Sequence, residues 1–156
     1  MAFWHKKDYR LDDLMPLFKE RLAEGHTVQF GPKGTSMMPM IRQGIDTVVV
    51  APVTGKLKKY DVPLYQRKGG QYVLHRITKV TGDTYTCIGD NQYAYEPGVR
   101  HDQMIAVMIG FYRDQEYISV NRWSYRIYCC LWHRSRWLRP RVRAVKSKIR
   151  RLFKKT

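Results

Sequence analysis

Three polar residues stand where chemistry would need them: Ser36 in Gly34-Thr35-Ser36-Met37-Met38-Pro39, His75 in Leu74-His75-Arg76-Ile77, and Asp90 in Gly89-Asp90-Asn91. A serine hydroxyl becomes a nucleophile when a turn exposes it, a base lies within hydrogen-bond reach and donors await the oxyanion. Gly34 admits a backbone path closed to other residues, and Pro39 limits how the chain leaves the turn. An imidazole can take and return a proton near neutral pH, and a carboxylate can orient it. Each segment also has a plainer reading. Ser36 can sit in a loop feeding Met37, Met38 and Met40 into a core, His75 can be a structural residue of an apolar strand, and Asp90 can belong to a simple turn. It is their order and spacing, taken together, that carry information.

The elements that must position these residues follow from periodicity. Leu11, Leu14, Met15, Leu17, Phe18 and Leu22 recur at helical spacing over 8–24, with Asp12 and Asp13 early and Gly25 after the end, which predicts an amphipathic helix interrupted near Pro16. From His26 the pattern becomes short runs bounded by Gly, Pro and Asp: 27–30, 47–51, 62–66, 72–80, 84–88, 105–113 and 117–120. No helix-length segment separates them, so about seven strands in a coiled sheet or partial barrel are expected. Pro63 belongs on an edge or at a bulge, since it cannot donate to a ladder.

The chain has 156 residues and a net charge of +16. Residues 122–156 hold 13 basic side chains and no acidic one. Trp123, Ile127, Leu131 and Leu138 fall on one side of this segment up to Pro140, with Val142, Val145, Ile149, Leu152 and Phe153 beyond. Two basic amphipathic helices joined at Pro140 are expected, suited to the headgroup plane of an anionic membrane, with Trp123, Trp132, Arg143 and Arg150 as membrane-binding residues. Arginines interleaved with Trp123, Tyr125, Tyr128, Trp132 and Trp137 suggest nucleic acid as a lesser alternative. The adjacent Cys129 and Cys130, with Cys87, point to a reducing compartment. No run is long and apolar enough to span a bilayer, so a cytoplasmic protein, peripheral on the inner membrane face, is expected.

The segment 34–113 resembles the signal peptidase and self-cleaving repressor superfamily of serine peptidases, whose members share a Gly-x-Ser-Met turn, two Gly-Asp pairs, a strand carrying the base and a late Gly-Asp-Asn. The matching stretches are Gly34-Thr35-Ser36-Met37-Met38-Pro39, Gly44-Ile45-Asp46, Tyr60-Asp61-Val62, Val73-Leu74-His75-Arg76-Ile77, Gly89-Asp90-Asn91 and Ile109-Gly110. Bacterial signal peptidases and the repressors use a lysine base, whereas archaeal and endoplasmic-reticulum signal peptidases use histidine in a His-Arg-Val context, which His75-Arg76-Ile77 resembles. The chain departs from the pattern in three ways: Gly34 stands where many signal peptidases place a serine, Ile45 splits the first Gly-Asp and Tyr60 replaces the glycine of the second, and, most seriously, the transmembrane anchor typical of signal peptidases is not expected here.

The resemblance implies a mainly β, signal-peptidase-like fold and a Ser36–His75 dyad, with the Ser36 backbone N–H as oxyanion donor and Gly34 beside it. It implies Asp90 as the carboxylate that orients His75. Tyr95 and Glu96 stand where the family places a later aspartate pair, which makes Glu96 the second candidate. The organisation expected is an N-terminal helix (1–25), a catalytic β domain (26–121) and a basic helical tail (122–156). The function expected is a serine endopeptidase cleaving a leader or signal-like peptide, with neither metal nor cofactor called for. The alternative is a nucleic-acid- or membrane-binding protein that keeps a non-catalytic peptidase-like fold.

Overall fold

The computed structural model describes residues 11–139 and 141. Helix α1 (Leu11–Ala23) carries Asp12 and Asp13 in its first turn, where carboxylates meet the positive end of the helix dipole. Pro16 lies inside it, and the helix runs through the proline without the expected interruption. Met15, Phe18 and Leu22 face inward at i, i+3 and i+7, and Phe18 meets Phe30 with ring centroids 5.7 Å apart.

Among the described residues nine strands follow: β1 (Val28–Phe30), β2 (Thr47–Pro52), β3 (Pro63–Gln66), β4 (Tyr72–Leu74), β5 (Arg76–Thr81), β6 (Thr84–Ile88), β7 (Glu96–Arg100), β8 (Met104–Arg113) and β9 (Glu116–Ser119). The protein is mainly β, and its larger sheet curls strongly into a half-barrel. That sheet runs β1-β2-β8-β3-β4, with β9 also paired to β8; the smaller sheet runs β5-β6-β7. The long β8 is its spine, pairing with β2 along one edge and with β3 and then β9 along the other. Pro63 opens β3, just before the register shift between Leu64 and Tyr65, a position where its missing N–H is tolerated.

Two strands differ from the sequence expectation. The run 72–80 is broken at His75, because the chain leaves the larger sheet at Leu74 and enters the smaller one at Arg76. Strand β7 carries Pro97 and Gly98 and so lacks a strand-like apolar pattern, yet it pairs with β6 through Thr84↔Arg100, Tyr85↔Val99 and Cys87↔Glu96. The two sheets share a core in which Tyr65 from β3 meets Ile77, Tyr85, Cys87 and Val99 from the smaller sheet, with Leu57.

The chain divides into two compact units between Val120 and Asn121. The second holds α2 (Trp123–Arg134) and a 3-10 turn (Ser135–Leu138). The second basic helix expected beyond Pro140 lies outside the described residues.

Candidate active site

Ser36 lies half-buried in the turn that follows β1. Gly34 adopts φ +92°, a left-handed conformation that a side chain would strain. Met37, Met40 and Ile41 are buried and hold the far side of the loop, with the Ile41 N–H donating to the Met37 carbonyl at 2.9 Å. Further along, Asp46 is buried and accepts bonds from the Arg42 backbone and side chain and from Arg113, which also donates to the Met40 carbonyl at 2.5 Å. Burial opposes the Asp46 charge, but these arginines outweigh it and hold the carboxyl below its usual range. The Asp of Gly44-Ile45-Asp46 is thus a clamp on the loop that carries Ser36.

The near side of the Ser36 turn is fixed by the Gly89–Asn91 segment. The Asn91 N–H donates to the Ser36 carbonyl at 2.8 Å, and Asn91 Nδ2 donates to the Thr35 carbonyl at 3.2 Å. A Cβ on Gly89 would stand 2.7 Å from the Ser36 carbonyl oxygen and 3.0 Å from its Cβ. Only glycine permits this approach, which is the physical content of a Gly-Asp-Asn so far along the chain from a Gly-x-Ser.

His75 occupies the junction between β4 and β5, with its backbone N–H bonded to the Pro63 carbonyl at 3.3 Å. Its side chain is buried, and Nδ1 lies 3.1 Å from Glu96 Oε1. Glu96 is itself held from two sides. Its Oε2 accepts from Tyr65 Oη at 2.8 Å and from Arg67 Nε at 2.9 Å, while Oε1 accepts from Arg67 Nη2. Tyr65 Oη also stands 3.4 Å from Nδ1, a long contact. Tyr65 lies on β3 and Arg67 just past its end, and both reach the one carboxylate of Glu96.

The electrostatics follow from this packing. Burial is the largest influence on His75 and holds the imidazole below its ordinary value, with Arg67 adding to the effect and Glu96 and Asp90 opposing it. Burial also opposes the Glu96 charge, but the bonds from Arg67 and Tyr65 and the adjacent His75 outweigh it, so the carboxyl is held below its usual range. Burial, with the neighbouring Cys87 and Glu96, raises the Tyr65 phenol, which therefore stays protonated and donates. At neutral pH the arrangement is a neutral imidazole whose Nδ1–H meets a carboxylate and whose Nε2 lone pair can accept a proton.

Asp90, expected against the imidazole, has a different principal partner. Arg76 donates to it twice, Nε to Oδ1 at 2.9 Å and Nη2 to Oδ2 at 2.8 Å, and both side chains are fully buried. Asp90 reaches His75 through its field and not through a hydrogen bond, whereas Glu96 makes the direct contact. The reason is the strand that the sequence concealed: β7 places Glu96 opposite Cys87, itself opposite Ile77, two residues beyond His75. Tyr65 and Arg67 were not singled out from sequence; their signal was their shared parity on the run 62–66 and the residue after it.

The segments carrying Ser36 and His75 are linked by two contacts: Asn91 bonds the Ser36 carbonyl, and its neighbour Asp90 bonds Arg76, the residue after His75. Among the described residues, no hydrogen bond joins Ser36 Oγ to His75. Among the described residues, no group of three or more His, Cys, Asp or Glu side chains is placed to share a metal ion.

Of the expected membrane residues, Trp123 is 73% exposed, whereas Trp132 stacks on Tyr128 with centroids 5.6 Å apart. Arg143 and Arg150 lie outside the described residues. No described helix is long and apolar enough to cross a membrane. No protein-family model, curated protein or solved structure matches the chain.

Proposed function

We propose that the chain is a serine endopeptidase that cleaves a leader or signal-like peptide, and that its basic C-terminal segment holds it to the inner face of a membrane. The observation that supports this most is the buried His75 with Glu96 on Nδ1, within the electrostatic reach of Asp90 from the turn that grips Ser36. In this reading Ser36 Oγ attacks the scissile carbonyl carbon as His75 Nε2 takes its proton. Glu96 stabilises the imidazolium through Nδ1–H and fixes its tautomer, and the Ser36 backbone N–H donates to the oxyanion. The imidazolium then protonates the leaving amine as the C–N bond breaks. A water, deprotonated by the same imidazole, attacks the acyl carbon, and as the C–Oγ bond breaks the imidazolium returns the proton to Ser36 Oγ.

The test is to incubate the protein with a library of exposed leader peptides and to sequence the new N-termini. Cleavage after small residues, absent from Ser36→Ala and from His75→Gln proteins that melt like the wild type, is the expected result. A library left equally intact by wild type and Ser36→Ala, or cut equally by both, overturns the reading.

A further inference from the structure

Helix α2 presents its apolar residues in two different ways. Tyr125 and Cys129 are buried, while Trp123, Ile127 and Leu131, four residues apart and so on one stripe, are 73%, 49% and 63% exposed. Trp137 and Leu138, in the 3-10 turn that follows, are also exposed. Arg126 and Arg134 lie on the outward side of the helix between and beside the stripe residues, and both are exposed. An apolar stripe turned to water is unfavourable for a helix unless something else receives it.

We infer that the outward face of α2 is the surface that meets an anionic lipid bilayer, with Trp123, Ile127 and Leu131 entering the headgroup–acyl boundary and Arg126 and Arg134 reaching lipid phosphates. The inference deepens the membrane attachment proposed above and rests on it, though not on the peptidase chemistry. Charge selects the partner: residues 122–156 carry 13 basic and no acidic side chains, complementary to an anionic surface. Side-chain type selects lipid over nucleic acid, because Ile127 and Leu131 offer no ring on which a base could stack, whereas both bury well among acyl chains. Trp132 has neighbours of its own. Its ring is stacked on Tyr128 at an interplanar angle of 14°, and the Arg139 guanidinium lies 3.4 Å from its centroid, so it braces the helix.

The test is flotation of the full chain with vesicles of equal parts phosphatidylcholine and phosphatidylglycerol, beside vesicles of phosphatidylcholine alone. Wild type and Ser36→Ala should float equally with the anionic vesicles, leave them as salt rises, and ignore the neutral ones. Combined Trp123→Ser, Ile127→Ser and Leu131→Ser should weaken partition at least about tenfold, through lost apolar burial. A second variant, Arg126→Glu with Arg134→Glu, should also lose at least about tenfold and keeps the stripe intact should the first fail to fold. If wild type floats and folded variants float as well as it does, the assigned face is wrong. If wild type ignores the anionic vesicles, membrane attachment itself fails, and a shift of single-stranded oligonucleotide by the same protein would give the tail to nucleic acid. Neither result bears on peptide cleavage, which Ser36→Ala reads separately.

Discussion

Replacing Glu96 by glutamine should make His75 harder to protonate and slow catalysis together. Glu96 Oε1 stands 3.1 Å from Nδ1, and a full charge pair at that distance interacts by at most about 5 kcal/mol at an effective dielectric of about 20. The true interaction is weaker, because the carboxylate is partly exposed and is shared with Arg67, whose charge opposes His75 protonation. The His75 pKa is expected to fall further from a value already below the ordinary one, because the neighbouring charge that raises it is removed. The assay is a nitrogen-15 titration of the imidazoles, with the His75 resonances assigned from the spectrum of His75→Gln. The Glu96→Gln spectrum should show the lower pKa and a loss of the pure Nδ1–H tautomer. In peptide cleavage the acid limb of the rate profile should move to lower pH as the plateau falls about a hundredfold or more, the loss expected when a base loses the carboxylate that orients it. A residue that merely supported the fold would not move the limb in that direction. If Asp90→Asn displaces the His75 titration further than Glu96→Gln does, Glu96 is not the orienting carboxylate.

The other two expectations concern the buried pairs around the site. Asp90→Ala leaves Arg76 with its charge buried and its bidentate acceptor gone, so the protein should lose about 3–5 kcal/mol in urea unfolding, while the apolar double replacement Asp90→Leu with Arg76→Met should recover most of it; equal stability of the single variant and wild type would refute this. Stability should also depend on His75 protonation: its pKa is depressed on folding, so the unfolded chain binds the proton more tightly. The contribution is present above about pH 6.5 and is lost as pH falls from there through the folded value, with a slope of up to about 1.4 kcal/mol per pH unit. Melting curves between pH 8 and 5 should show that slope in wild type and not in His75→Gln, and parallel curves would refute it.

What the sequence disclosed and what it concealed have one physical cause. Strand β6 is an alternating run between turn residues, and the reading 84–88 coincides with Thr84–Ile88, because local pattern and tertiary role agree there. Ser36 was legible for a similar reason: Gly34 needs its left-handed conformation and Gly89 needs its missing side chain, so a contact between distant segments left marks on both. The switch of sheets at His75 leaves no such mark. The run continues in pattern through Val73, Leu74 and Ile77 while the ladder partner changes from β3 to β6, and a register partner is not a property of local sequence. The concealed β7 follows the same rule, since Pro97 and Gly98 suppress its pattern and only pairing with β6 makes it a strand. Which carboxylate meets the His75 imidazole therefore could not be decided from spacing. Asp90 and Glu96 are six residues apart, and what separates them is that one falls beside Arg76 and the other is carried by β7 onto Nδ1. His75 sits where the chain crosses between two sheets, so its carboxylate neighbour comes from the strand that completes the second sheet, and here that strand brings Glu96, with Tyr65 of β3 and Arg67 just past its end closing around it.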